Sequence, residues 1–141
     1  MNLALLEPAF YRYETRVEEY SVVDGDPATW RDRGCPSKKV TGPRRYRVPV
    51  PTLAEAQMVL FMCPKCFASG GGRVGCHSIE VSLADRGVSP EDATHNSKGE
   101  AVFWTAAGTG LADLSLAPSI QAEGDGCGVH IHITNGEVRN A

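Results

Sequence analysis

The stretch that decides the fold is Cys127-Gly-Val-His-Ile-His-Ile-Thr-Asn-Gly-Glu-Val138, "CGVHIHITNGEV". It joins two signals. Cys127-Gly-Val-His130 has the spacing of a metal knuckle, and Asn135-Gly136 between β-prone runs is the strongest short hairpin signal. A β-hairpin that carries metal donors at its mouth needs further donors elsewhere in the chain. They stand at Cys63-Pro-Lys-Cys66, which ends the apolar run "MVLFM" (58–62). Two such pairs complete a four-donor tetrahedral site of Cys63, Cys66, Cys127 and His130, of the kind zinc occupies. A thiol redox pair and unliganded buried cysteines are the competing readings of these residues.

Gly and Pro beside each pair permit the tight turns that aim two donors at one point. Closing the loop of roughly 60 residues between the pairs costs about 3–4 kcal/mol. A structural zinc contributes about 10–16 kcal/mol, so the metal dominates and ties the first half of the chain to the last hairpin. Four protein donors leave no place for water, which makes such a site structural. Two other donors compete. Cys76 and His77 complete a local site with Cys63 and Cys66, leaving Cys127 and His130 free. His132, two residues beyond His130, is expected to point to the opposite face of the strand from His130, so that only one of the two faces the metal easily and His132 is left toward solvent or a partner.

Working outward, "YRYETRVEEYSVV" (11–23) alternates Tyr11, Tyr13, Thr15 and Val17 with Arg12, Glu14, Arg16 and Glu18, the period-2 pattern of a half-buried strand. Residues 24–51 are rich in Pro, Gly and charge and read as irregular structure or a long loop. Thr52 with Glu55 has capping-box spacing, so a short helix is expected to begin there. Residues 59–61 read as a buried strand, Ile79, Val81 and Leu83 mark another, and 85–100 reads as a surface loop. Strand signals resume at 102–104 and at 111–116. The fold expected is mainly β, a compact antiparallel domain with one short helix and a zinc staple. It is one domain over 1–141, with an N-terminal strand and basic region (1–51) and a zinc-stapled core (52–141).

The chain has 141 residues and 42% hydrophobic content, the size of one ordinary domain. Its five cysteines form an odd count, and with no apolar run near the length that spans a bilayer and Glu7 near the start, the reading is a reduced, cytoplasmic setting. The net charge of −3 is too small to imply a nucleic-acid partner by itself. It is uneven, with ten basic and eight acidic residues in 1–70 and four and nine in 71–141. Between residues 30 and 47, Arg31, Arg33, Lys38, Lys39, Arg44, Arg45 and Arg47 face only Asp32, with Trp30 and Tyr46 interleaved. Such a segment suits phosphates with stacking bases, an acidic protein surface, or plain solvent. Cys35 within it reads as a stray thiol. No Ser-His-Asp order, phosphate loop or carboxylate pair is present.

Three blocks, "LAEAQMVLFMCPKCFASGGGRVGCHSI" (53–79), "FWTAAGTGLADLSLAPSI" (103–120) and "CGVHIHITNGEV" (127–138), resemble domain-of-unknown-function family 6527, small proteins of bacteriophages and bacteria. The likeness covers roughly residues 52–138. Its pattern falls on Cys63 and Cys66, His77, Trp104 with Gly108, Pro118 to Ile120, then Cys127 and His130. Cys76 lies outside it, and His132 stands where a large apolar residue or glycine is expected. The resemblance implies a zinc-binding β-rich domain, with some relatives near bacterial ubiquitin-like conjugation genes, and no established activity. It implies that His77, Trp104 and Ser119 form a pocket beside the metal, or that Trp104 and Ile120 are core and His77 supports a ligand.

Three functions are therefore expected. The first is a non-catalytic zinc-stabilised interaction module, a phage protein acting in the host cytoplasm on a host protein or nucleic acid. The second is a zinc hydrolase or transferase with an open metal position and His77 or His132 as acid/base. The third is a structural or assembly protein.

Overall fold

The computed structural model describes residues 1–122 and 127–141, without the side chains of Asp32 and Arg33. The chain divides into two compact units, Met1–Arg12 with Val48–Ala141, and Tyr13–Arg47. The division differs from the expected boundary at 51/52, because strands β1 (Ala9–Val23) and β2 (Ser37–Val50) each run from one unit into the other.

In the larger unit, the first 3-10 turn (Leu3–Leu6) buries Leu3 and Leu6 completely. Ala9 to Tyr11 of β1 then pair antiparallel with β3 (Met58–Met62). β3 pairs antiparallel with β4 (Ser78–Ser82), and the sheet order is β2-β1-β3-β4. The short ladder of β5 (Thr94–His95) and β6 (Ala101–Val102) interrupts the segment expected to be a loop. A second sheet follows, in the order β10-β9-β8-β7, from β7 (Thr105–Ala107), β8 (Ser115–Ala122), β9 (Val129–Thr134) and β10 (Glu137–Asn140). The mainly antiparallel β fold is as expected.

One core joins the two sheets. Val59, Phe61, Ile79 and Val81 from the first meet Leu116, Ile120, Val129, Ile131 and Ile133 from the second, with Trp104 and Leu114. The period of two is clean in β9, where Val129, Ile131 and Ile133 are buried and His130, His132 and Thr134 are exposed. The Asn135-Gly136 turn forms as read. Both residues have positive φ, 50° and 75°, the conformation a two-residue type I′ hairpin requires. Gly136 is indispensable there, since a Cβ would sit 2.2 Å from the Ala112 carbonyl oxygen.

The helices fall elsewhere than expected. From Thr52 there is only a 3-10 turn, Leu53–Glu55. Thr52 Oγ1 bonds Glu55 Oε2 at 2.8 Å, yet neither the Thr52 side chain nor a following helical turn caps it. Tertiary burial of β3 from Met58 onward overrides the local helix preference. The helix of this region is α2 (Pro64–Gly70), which starts at the Cys-Pro-Lys-Cys motif itself, after the one-turn α1 (Trp30–Arg33). Pro64 stands at its first turn, where a missing N–H costs nothing. Gly71, at φ 70°, closes it by donating to the Phe67 carbonyl. The signal at 111–116 resolves into a 3-10 turn, Leu111–Asp113, followed by β8. That at 102–104 splits between β6 and β7, leaving Trp104 bridged to Leu83.

The smaller unit corrects the loop expected over 24–51. The cross-strand partners Thr15 with Arg45, Tyr20 with Arg44, Glu19 with Lys39 and Asp24 with Lys38 mark an antiparallel ribbon of β1 and β2. Pro43 and Pro49, which argue for a loop in a central strand, are compatible with β2 because it lies at the sheet edge. The expected apolar face of β1 is looser than its pattern, with Val17 76% exposed.

Candidate metal centre

The first knuckle stands at the end of β3. Cys63 is fully buried, and its Sγ accepts from the backbone N–H groups of Lys65 and Cys66 as α2 begins. The second knuckle precedes β9. Gly128, at φ 63°, turns the chain so that the Val129 N–H reaches the Cys127 sulfur. Backbone N–H groups aimed at sulfur favour the thiolate over the thiol. Lys65 ties one knuckle to the other by donating from Nζ to the Cys127 carbonyl at 2.9 Å.

Cys63 Sγ lies 3.6 Å from Cys127 Sγ, although the residues are 64 positions apart. His77 Nε2 lies 3.2 Å from Cys127 Sγ. With Cys66 these atoms all fall within 4.8 Å of one another, a group able to hold a metal ion. Among the described residues it is the one such cluster.

The three expected cysteines thus converge, while the imidazole is that of His77 and not His130. The reason is strand geometry. β3 and β4 pair as Met62 with Ser78, and Cys63 N–H donates to the His77 carbonyl at 2.9 Å, which sets His77 beside Cys63. His130 is on the exposed face of β9 and bonds Ser119 Oγ through Nε2 at 2.7 Å. His132 shares that face, as residues i and i+2 of a strand must, with ring centroids 6.5 Å apart. The expected divergence of the two histidines is therefore corrected. The local set is corrected too, for Cys76 directs its thiol to the carbonyls of Cys63 and His77 and stands outside the cluster.

The thiols differ in acidity. Burial pushes Cys63 up to about 11, against the N–H groups of Cys66 and Lys65. Burial raises Cys127 as well, but His77, the Val129 N–H and the neighbouring thiols bring it down to about 7. Cys127 is the first of the cluster to ionise, and a cation brought to it would deprotonate the remaining thiols.

Of the trio His77, Trp104 and Ser119, the structure brings Trp104 and Ser119 together. Trp104 is a core residue, 7% exposed, whose Nε1 donates to the Ser119 carbonyl at 3.3 Å. Ser119 Oγ turns to His130, and His77 joins the thiols.

Of the basic segment, Arg31, Lys38, Lys39, Arg44, Arg45 and Arg47 are exposed, and the Arg33 side chain lies outside the described residues. Lys38 pairs with Asp24 at 3.7 Å and Lys39 with Glu19 at 3.6 Å. Arg44 and Arg45 stack over Tyr20 and Tyr13, and Arg16 over Tyr46, while Tyr46 donates to Glu18. Acidic and aromatic groups of β1 thus answer much of the charge that β2 carries.

Comparison of the chain with models of protein families, with curated proteins and with solved structures finds no match. Among the described residues no helix is long and apolar enough to cross a membrane.

Proposed function

We propose that this chain is a zinc-binding, non-catalytic interaction module, encoded by a phage and engaging a host protein or nucleic acid. The convergence of Cys63, Cys66, His77 and Cys127 carries the reading. A tetrahedral zinc with Zn–S bonds of 2.3 Å separates two sulfurs by about 3.8 Å, and Cys63 and Cys127 stand 3.6 Å apart. Three thiolates and an imidazole form a soft donor set that selects zinc over magnesium or calcium.

Saturation argues for a structural ion. With four protein donors no position is left for water, so a hydrolase or transferase would first have to release one of them. An assembly protein would show itself as a stable oligomer. Kinship with domain-of-unknown-function family 6527, and with it phage origin, belongs to the same proposal and rests on the sequence blocks alone.

Elemental analysis of the purified protein and of Cys127→Ala tests the metal. One zinc per chain in the wild type, lost in Cys127→Ala together with thermal stability, is the expected result. A wild type free of metal, or zinc kept in Cys127→Ala, overturns the proposed site. Binding to nucleic acid at low salt that weakens as salt rises supports that version of the partner, and indifference at low salt removes it.

A further inference from the structure

The ribbon of β1 and β2 in the smaller unit has two unlike faces. Its cross-strand contacts join odd with odd, as Arg45 with Thr15 and Tyr13 and Lys39 with Glu19. They join even with even, as Tyr46 with Glu18 and Arg16 and Arg44 with Tyr20. Odd positions of both strands therefore share one face, and even positions the other. On the even face Tyr20, Val22, Val40 and Tyr46 are half-buried. Arg44 stacks over Tyr20 and Arg16 over Tyr46, each at 4.6 Å, so cohesion between the strands lies on that side. On the odd face every position from Thr15 to Val23 and from Lys39 to Arg47 is exposed, Val17 by 76% and Val23 by 54%.

The open face leaves the ribbon short of support. A two-stranded ribbon is marginal in water by itself, and none of the described residues between 13 and 47 is buried. The charge on it is one-sided. β2 carries five cations, Lys38, Lys39, Arg44, Arg45 and Arg47, and no carboxylate. Lys39, Arg45 and Arg47 stand on the open face, together with the hydroxyls of Thr15, Ser21 and Thr41. The one carboxylate of that face is Glu19. Its pair with Lys39 at 3.6 Å is 62% and 74% exposed on its two sides, so it holds weakly and gives way to salt.

We propose that the odd face of this ribbon binds duplex DNA, lying in the major groove with Lys39, Arg45 and Arg47 on phosphates. The proposal rests on the reading of the chain as an interaction module and names its surface and partner chemistry. The major groove of B-DNA admits a two-stranded β-ribbon, and its thymine methyl groups suit the exposed Val17 and Val23. Cations and hydroxyls are the groups that bind phosphate oxygens. Single strands are held by exposed aromatic platforms, whereas Tyr13, Tyr20 and Tyr46 are half-buried beneath arginines. The major groove of duplex RNA is too narrow for side chains to read. A protein partner would call for aromatic residues in place of lysine and serine, the reverse of this face.

The test is fluorescence anisotropy of a labelled, mixed-sequence DNA duplex about two helical turns long, titrated with the full protein, its zinc content measured beforehand, over a range of salt. Parallel arms use the matched single strand, duplex RNA of the same sequence and polyglutamate. Saturable duplex binding that weakens log-linearly with salt is expected. The double variant Arg45→Gln with Arg47→Gln is expected to bind at least about tenfold more weakly, with a salt slope shallower by about two. Glu19→Gln reads the same face without removing a stacked cation and is expected to bind more tightly. Arg139→Gln, in the larger unit, is expected to bind as wild type does. Metal-free protein that binds with these variant effects would support the ribbon and end the zinc reading. Zinc-loaded protein indifferent to the duplex at low salt overturns the ribbon proposal and leaves the zinc reading standing. Undiminished binding by the double variant with no change in Glu19→Gln, or tighter binding of the single strand, the RNA or polyglutamate, also overturns it.

Discussion

At the scale of single residues, His77 and His130 separate two roles that spacing alone merges. His77→Ala removes a donor from the cluster and is expected to lose most bound metal with a large fall in melting temperature. His130→Ala removes only an exposed bond to Ser119 Oγ and is expected to keep metal and melt within a few degrees of wild type; elemental analysis with thermal unfolding of both variants decides. The signal for His77 was present in the sequence. The runs 58–62 and 79–83 are joined by a short Gly-rich return, and antiparallel pairing across it brings position 77 to position 63. Cys-x-x-His spacing points instead to His130, because a knuckle is a local pattern and strand register is not. Asp113 illustrates a different dependence. The N–H of Gly110, then the N–H and hydroxyl of Thr109, hold its carboxylate below the ordinary value of 3.8. Its folded pKa is depressed, so its contribution is complete above 3.8 and disappears as pH falls through the folded value. Unfolding of wild type and Asp113→Asn from pH 6 downward is expected to show a gap in stability that closes in acid.

Among elements, the last hairpin was the most legible and the most constrained. The Asn135-Gly136 turn lies against the Leu111–Asp113 turn, with the Gly136 N–H on the Leu114 carbonyl and the Gly136 carbonyl receiving the Leu3 N–H, both at 2.8 Å. Gly136→Ala adds a Cβ against Ala112 and keeps a positive φ, so a loss of at least about 1–3 kcal/mol is expected in denaturant unfolding. The elements that were misread share a cause. Thr52 and Glu55 carry helix-start chemistry, but residues from Met58 onward are needed as a buried strand. Pro43, Pro49 and the charges of β2 disguise a strand that sits at an edge, where prolines and charges are tolerated. Local composition reports local preference, whereas sheet position belongs to the whole chain.

For the molecule as a whole, the four donors join strands distant in sequence, and the core spans both sheets. A structural zinc contributes about 10–16 kcal/mol, comparable to or above the total stability of an ordinary domain, about 5–15 kcal/mol. Chelation is therefore expected to unfold the larger unit as one event. Hydrogen exchange should show protection lost together in Met58–Met62 and Val129–Thr134, and persistence of either strand alone would contradict this. The mainly antiparallel β class and three of the four clustered donors were readable from turns, period-2 runs and paired cysteines. The two-unit division was not, because β1 and β2 cross it without any break in composition.

The distance in sequence between the knuckles also sets a clock on the ribosome. Cys63, Cys66 and His77 are made first, and at synthesis rates of about 5–20 residues per second Cys127 follows them by about 3–10 s. During that interval the nascent chain carries three donors and a half-built core, with β9 and β10 still to come. Completion of the centre thus waits on Cys127, and a chain stalled before it would carry Cys63, Cys66 and His77 without their fourth partner.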